Sequence, residues 1–391
     1  MKHWFLFPIV LFPFLLTSCH KDDEPETIPY RRTVLVYLAA DNNLSSFALN
    51  DLKEMKEGMA QVSDGMLHLL VYIDTGSSPR LIELKKQNDE VVEDVIRTYD
   101  DRNSVGLDET REVFTDVFSN PDFKAEGYGL IYWSHADGWI PYGPSTRWVG
   151  QDTTDGTHYM NISELVTVLQ SVPHLDFLMF DACFMASVEV AYELRSFTDY
   201  YIGSPTETPG PGAPYERLVP LMSAEQAAVE MSKAYFDFYY KIYKDGIGIS
   251  STHWTGGTSI SVIRTDALEQ LASLTARLLP EEEVDIDVLK EEVFDYDVRP
   301  RDYVGYFDLK QLMEQVLDDA SYAAWIQTLN TAIADWNSTP KNYSQFVGMF
   351  SIPVKDTKGI THYIPGSSIQ RDAAYRSLQW YRDAGLEKLG W

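Results

Sequence analysis

Short apolar runs alternate with amphipathic segments along this 391-residue chain. The runs predict buried strands, because they are short and end in polar or glycine-containing segments. They lie at residues 33–38, 67–73, 129–133, 175–180, 200–203 and 259–263, with a late strand at 345–352. Apolar residues at helical spacing predict helices at residues 44–59, 108–118, 162–169, 185–194, 224–243, 309–317 and 323–336. This alternation predicts an α/β fold with a mostly parallel sheet covered by helices on both faces.

Two reactive side chains each follow one of these predicted strands. His135 comes after the run at 129–133, and Cys183 comes after the run at 175–180. Open α/β sheets place their chemistry at the carboxyl ends of their strands. A cysteine with a histidine elsewhere in the chain is the sequence form of a nucleophile and its base. The alternative is structural, since a free cysteine often only fills the core.

The sequences around both residues resemble the clostripain family of cysteine peptidases, relatives of caspases, legumains and gingipains. The resemblance rests on residues 132–139 (YWSHADGW) and 180–186 (FDACFMA), followed by 203–210, 306–309 and 349–353. It extends over about residues 33 to 380. It implies a caspase-like three-layer α/β/α sandwich with a C-terminal α+β extension, and cleavage of polypeptides after Arg or Lys.

The resemblance also implies roles for individual residues. Cys183 would attack the scissile carbonyl as a thiolate whose pKa is lowered by an ion pair with His135. The backbone N–H groups of Ala136 and Cys183 would form the oxyanion hole, although the family usually has glycine at position 136. Asp181 and Glu207 are the candidates for binding a basic substrate side chain. No cofactor is required by this mechanism, and calcium is the one ion that the resemblance suggests.

The N-terminal residues predict export and lipidation. An apolar segment at residues 4–16 is typical of a signal peptide, and residues 16–19 (LTSC) resemble a bacterial lipobox cut before Cys19. We therefore expect a signal peptide at 1–18 and a lipidated acidic tether at 19–32. The peptidase domain would span 33–265 and the extension 266–391. This places the protein in the bacterial cell envelope, anchored in the outer membrane and exposed at the surface.

The charge and the motifs exclude several classes of function. The formal net charge of −27 repels nucleic acid and anionic lipid headgroups and favours basic substrates. The sequence contains no P-loop and no zinc motif of the His-Glu-x-x-His type, and predicts no metal ligands. Polypeptides are therefore the expected partners, and we expect a monomer.

Two further expectations concern processing and rival functions. Members of the family are often cut between the catalytic histidine and cysteine, and Arg147 is the only lysine or arginine from 136 to 182. The strongest rival is a catalytically degenerate surface lipoprotein that binds peptide or glycan. It is favoured by Ala136 and by the absence of an acidic residue near Ala213. The second rival is a thiol hydrolase that acts on a small amide.

Overall fold

A computed structural model describes Met1 and residues 30–88, 90–139, 149–246, 256–299, 305–366 and 368–391. Cys19 and Arg147 lie outside the described residues, as does the predicted signal peptide beyond Met1. Within the described residues the strands are β1 (Tyr30–Ala39), β2 (Leu67–Asp74), β3 (Arg80–Gln87), β4 (Glu90–Thr98), β5 (Ala125–Trp133), β6 (Val149–Asp152), β7 (His158–Met160), β8 (Leu175–Asp181), β9 (Thr198–Gly203), β10 (Ser259–Arg264), β11 (Phe307–Asp308), β12 (Ile333–Ser338), β13 (Lys341–Ser344), β14 (Gly348–Ser351) and β15 (Thr361–His362).

The helices alternate with these strands through the first two thirds of the chain and dominate the last third. In chain order the α-helices of the described residues are α1 (Ser45–Met59), α2 (Leu107–Phe118), α3 (Ile162–Leu169), α4 (Val188–Leu194), α5 (Tyr215–Leu218), α6 (Ala227–Lys244), α7 (Leu268–Leu278), α8 (Ile286–Glu292), α9 (Leu309–Val316), α10 (Asp319–Ala332), α11 (Ile369–Arg376) and α12 (Gln379–Asp383).

The fold is built around one large sheet. Within the described residues it has nine strands in the order β12-β10-β9-β8-β5-β1-β2-β3-β4. The strands from β9 through β2 in that order pair in parallel. Strands β3 and β4 at one edge, and β10 and β12 at the other, pair antiparallel. The predicted mostly parallel sheet is confirmed.

Helices cover both faces of this sheet. Successive side chains of a strand point to opposite faces, so Val36 and Tyr37 enter two different apolar clusters. The cluster around Val36 is completed by α1, α5 and α6. The cluster around Tyr37 is completed by helices that include α2, α3, α4 and α7. Two apolar layers on one sheet make the predicted three-layer α/β/α sandwich.

One observed hairpin was not predicted, and two predicted elements differ from the observed ones. Residues 80–98 form the hairpin of β3 and β4, which the apolar pattern missed because charged residues interrupt it at an edge of the sheet. Trp336, predicted to end a helix, lies in β12, where pairing with β10 decides its conformation. The late strand predicted at 345–352 is a hairpin of β13 and β14.

The large sheet and one apolar cluster both include residues from the two sides of the predicted domain boundary at residue 265. Strand β12 lies beyond that boundary, yet it is an edge strand of the large sheet. Helices α7 and α10 pack into the same apolar cluster as β5 and β8. The division of the chain into 33–265 and 266–391 stays a prediction. In the part of the chain that is described, none of the helices has the length and apolar character required to span a membrane.

Candidate active site

The two reactive side chains lie beyond the ends of neighbouring parallel strands. Strand β5 pairs with β8 in a register that sets Trp133 opposite Asp181, the last residue of each strand. His135 is two residues beyond Trp133, and Cys183 is two residues beyond Asp181. The equal offsets bring both side chains to the same edge of the sheet, and both line one cleft.

This cleft is lined by four of the five predicted site residues that the structure describes, Ala136 being the exception, together with residues that the sequence did not indicate. It is a cleft open to solvent, with about 630 Å³ of space between its walls when the solvent-open part is included. The predicted residues that line it are His135, Cys183, Asp181 and Glu207. The wall also includes Leu44, Trp133, Ser134, Thr208, Pro209, Gly210, Gly212, Tyr343 and Gln345. The last two belong to or follow β13, which is remote in sequence.

The imidazole of His135 is held by Asn43, which is not one of the predicted site residues. The Nε2 atom of His135 lies 2.6 Å from Oδ1 of Asn43, in the loop between β1 and α1. An acceptor at Nε2 places the ring proton there and leaves Nδ1 as the basic nitrogen. Burial lowers the pKa of His135, so the ring is neutral near pH 7. Asn43 therefore orients a neutral base.

The backbone turns sharply directly after the cysteine. Phe184 has φ of 56°, a left-handed conformation that is unfavourable for a bulky residue. Its ring stacks on Tyr306 with centroids 4.8 Å apart, and its N–H donates to the carbonyl of Thr206 at 3.0 Å. Such strain costs roughly 1–3 kcal/mol and persists where the surroundings enforce it. The turn ends β8 abruptly and presents Cys183 to the cleft.

The thiol of Cys183 is protonated in this arrangement. Its Sγ atom accepts from the N–H of Thr208 at 3.4 Å, and the Thr208 hydroxyl lies 3.6 Å away. Burial, and then the nearby carboxylate of Glu207, raise the pKa of Cys183 to about 11. The hypothesis of a resting ion pair with a lowered thiol pKa is therefore not what these surroundings favour.

Ala136 stands where the family usually has glycine, and its backbone shows whether a side chain is tolerated at this position. Ala136 forms a bridge with Val149, in which the N–H of Gly150 donates to the carbonyl of His135 at 2.8 Å. This bond does not involve the N–H of Ala136. Nor does Ala136 have a positive φ, so a side chain methyl group causes no backbone strain here. An alanine at this position is compatible with an oxyanion hole.

Asp181 lies at the bottom of the cleft. It is buried, and its Oδ2 accepts from the N–H of Ala213 at 2.8 Å and from the hydroxyl of Tyr215 at 3.2 Å. Its Oδ1 atom has no hydrogen-bond partner within the described residues. Burial raises the pKa of Asp181 to about 6. A carboxylate with one unpaired oxygen is suited to a cationic ligand.

Glu207 lies nearer the thiol and is engaged with the β13–β14 hairpin. Its Oε1 accepts from the N–H of Gln345 at 3.4 Å. Burial raises its pKa, and a hydrogen bond from Ser344 acts in the opposite direction. The carboxylate therefore holds the hairpin against the cleft, a structural role, while its charge also acts on Cys183.

A buried ion-pair cluster supports the histidine loop from the C-terminal part of the chain. Arg299 bonds to Asp137, with N–O distances of 3.0 and 3.1 Å, and to Asp297. The hydroxyl of Tyr306 donates to the carbonyl of Asp137 at 2.6 Å. The guanidinium of Arg299 also lies over the ring of Phe184. One cluster therefore fixes both the segment after His135 and the turn after Cys183.

Comparison with known proteins identifies the family of this chain. The clostripain family model matches residues 36–374. The chain belongs to the clostripain family of cysteine peptidases. It is 29% identical over 224 residues to clostripain of Hathewaya histolytica, an alignment that covers 48% of this chain and 41% of that protein. This chain therefore spans about two fifths of the length of that curated relative.

Solved structures of family members cover nearly the whole described chain. A secreted C11 cysteine protease from Bacteroides thetaiotaomicron, in complex with an irreversible peptide inhibitor, is 43% identical with a TM-score of 0.82. The match covers 91% of this chain and 99% of that one. An inactive zymogen C11 protease from Parabacteroides distasonis is 27% identical with a TM-score of 0.77, covering 91% and 98%. These matches confirm the caspase-like fold that the resemblance implied.

The contact between Asn43 and His135 generates a first prediction. Changing Asn43 to Ala should lower kcat for peptide cleavage by roughly tenfold or more, because the base loses its orientation. Asn43→Asp should retain more activity and should move the acid limb of the pH–rate profile to higher pH, since a carboxylate favours the charged imidazolium. The matched control is Asn50→Ala on α1, whose amide bonds to Glu54. An unchanged kcat in Asn43→Ala would remove Asn43 from the site.

The raised pKa of Cys183 predicts slow alkylation of the resting enzyme. Free cysteine has a pKa near 8.5, so at pH 7.5 iodoacetamide should modify Cys183 at least about tenfold more slowly than free cysteine. The rate should keep rising above pH 9 as the thiolate forms. Peptide mass mapping separates Cys183 from Cys19. Rapid alkylation that is independent of pH between 6 and 8 would instead indicate a resting ion pair with His135.

Proposed function

We propose that this protein is an exported cysteine endopeptidase that uses His135 and Cys183 and cleaves after Arg or Lys. The observation that carries the proposal is the register of β5 and β8, which delivers both side chains to one cleft. Membership of a cysteine peptidase family supports the chemistry. The relative from Bacteroides thetaiotaomicron was solved with a peptide inhibitor, which supports a polypeptide as the occupant of the corresponding cleft here.

The proposed mechanism uses His135 as a general base and then as a general acid. Nδ1 of the neutral imidazole takes the thiol proton while Sγ bonds to the scissile carbonyl carbon. The N–H groups of Ala136 and Cys183 stabilise the oxyanion that forms. The C–N bond then breaks, and the imidazolium returns its proton to the leaving amine. Water hydrolyses the resulting thioester, again with His135 as base.

The proposed specificity depends on the acidic cleft. The unpaired oxygen of Asp181 offers a basic P1 side chain a partner away from water, and such charge-assisted bonds are strong. Glu207 would contribute charge at the mouth, although its bond to the hairpin gives it a second role. The net charge of −27 steers cationic peptides toward the molecule.

No step of this mechanism involves a metal ion. Among the described residues, no group of three or more His, Cys, Asp or Glu side chains is placed to hold one. The dependence on calcium that the family resemblance suggests stays a prediction, and so does the monomeric state.

The alternative of a degenerate binding protein predicts the same fold without catalysis. It rested on Ala136 and on the lack of an acidic residue near Ala213. The ordinary backbone of Ala136 weakens the first argument. For the second, the N–H of Ala213 donates to Asp181, so this segment shapes the acidic pocket without its own carboxylate.

The proposal is tested with fluorogenic peptides that differ only at P1. The wild type should prefer Arg or Lys, and Cys183→Ala should abolish cleavage at little cost in stability, about 1 kcal/mol. The same samples test self-cleavage at Arg147, because intact mass should show a cut after Arg147 in the wild type only. Residual cleavage by Cys183→Ala would end the peptidase proposal. A preference for Asp, Asn or apolar P1 would end the proposed specificity, and an active wild type that stays whole would exclude self-cleavage.

The location proposed is the outer membrane, through lipid on Cys19. The lipobox resemblance and the polar tether at 19–32 support it. Cys19→Ser should move the protein from the membrane fraction to the soluble fraction of an expressing bacterium, measured by immunoblot. A mature N-terminus other than a lipid-modified Cys19, found by mass spectrometry, would contradict this location.

A further inference from the structure

A third carboxylate, besides those of Asp181 and Glu207 that line the cleft, lies directly behind Gly212 of the cleft wall. Asp51 belongs to α1 and is completely buried. Neither of its oxygens has a hydrogen-bond partner of good geometry within the described residues. The indole N–H of Trp133 acts to lower the pKa of Asp51. A buried carboxyl group without partners is costly, and the proposed reaction does not use it.

Gly212 lies between the cleft and Asp51, so its surroundings show how close Asp51 is to the cleft. Gly212 lines the cleft with φ of 76°. A Cβ atom placed on it would lie 2.9 Å from Oδ2 of Asp181 and 3.4 Å from Oδ2 of Asp51. It would also lie 3.0 Å from Nε1 of Trp133. Because Gly212 has no side chain, the carboxyl groups of Asp181 and Asp51 both lie next to the same small space in the wall of the cleft.

Among the described residues, the charged groups that act most strongly on Asp51 are acids. Burial, and then the charges of Asp181, Glu54 and Glu216, raise the pKa of Asp51 to about 10. No ion pair of the described residues includes Asp51. A pKa of about 10 favours the neutral acid form of Asp51 at neutral pH. Two neighbouring carboxyl groups that cannot both ionise become able to do so when a cation enters between them.

We propose that Asp51 is the second acidic group of the specificity pocket and that, together with Asp181, it selects arginine over lysine at P1. The inference rests on the proposed peptidase function and adds a residue to it. Three carboxylate oxygens lack partners, two on Asp51 and one on Asp181. A guanidinium presents five N–H donors in a planar fork and can bond to carboxylates on two sides, whereas an ammonium is a compact point charge.

Asp51 determines specificity in this proposal and does not take part in bond cleavage. The isosteric change Asp51→Asn removes the second charge and adds an amide donor that competes for Oδ1 of Asp181. The ratio of kcat/KM for a P1 Arg peptide to that for the matching P1 Lys peptide should fall by roughly tenfold or more, because acceptors that match the guanidinium are lost. Cleavage of a P1 citrulline peptide, which is uncharged, should change little.

The experiment compares wild type, Asp51→Asn and a control on the same helix. Glu57→Gln removes one charge from an exposed position of α1, where the side chain is 56% exposed, and should leave the Arg-to-Lys ratio unchanged. Active-site titration with a peptide inhibitor normalises each rate to folded enzyme. An unchanged ratio in fully titratable Asp51→Asn overturns the proposal. If instead the wild type shows no basic preference, the proposed specificity has failed and not the role of Asp51 alone.

A second measurement needs no change at Asp51 and stands even if that variant does not fold. Cys183→Ala is titrated calorimetrically at pH 7.5 with a blocked peptide whose only charged group is a P1 Arg, in two buffers of different ionisation enthalpy. Binding should release about one proton, because the neutral Asp51 must ionise beside the guanidinium. The neighbouring acids Asp181 and Glu54 have pKa values of about 6 and 7 and contribute less. Binding without proton release overturns the proposal.

Discussion

The parallel pairing of β5 with β8 is the constraint on which the candidate site depends. Its register places Trp133 opposite Asp181, and each reactive residue follows its strand end by the same two positions. Both strands are covered by apolar layers on their two faces. A slip of one residue would turn every core side chain toward the wrong layer. The packing of the whole sandwich therefore fixes the relative position of His135 and Cys183.

Burial gives this site its electrostatic character. It raises the pKa of Cys183, Asp181 and Asp51, and it lowers that of His135. All four shifts favour the neutral form, because charge is poorly solvated in the cleft. At neutral pH the thiol of Cys183 and the imidazole of His135 are therefore uncharged, whereas Asp181, with a pKa of about 6, is mostly ionised. A cationic substrate side chain would favour ionisation of Asp51 as well.

The C-terminal third of the chain supports the site and is more than an accessory layer. Arg299 and Tyr306 reach Asp137, more than 160 positions earlier, and Tyr306 supports the strained Phe184. Breaking a buried ion pair of this kind costs about 3–5 kcal/mol, since the remaining charge loses its partner. Residues beyond position 265 therefore hold the segment after His135 and the turn after Cys183 in place, and the family match includes them, since it extends to residue 374.

The sequence by itself determined the central strands, the mixed α/β architecture and the two reactive residues, because short apolar runs and the residues that end them are local signals. Tertiary structure alone decided the surroundings of Asn43 and Asp51, and the strand conformation of Trp336. Asn43 is like any other loop asparagine until β1 and β5 bring it beside His135. Asp51 is an ordinary helical acid until the packing of α1 against the sheet buries it at the cleft floor. Neighbours that are distant in the chain create these environments, and hydrogen-bond partners and desolvation depend on those neighbours and not on local sequence.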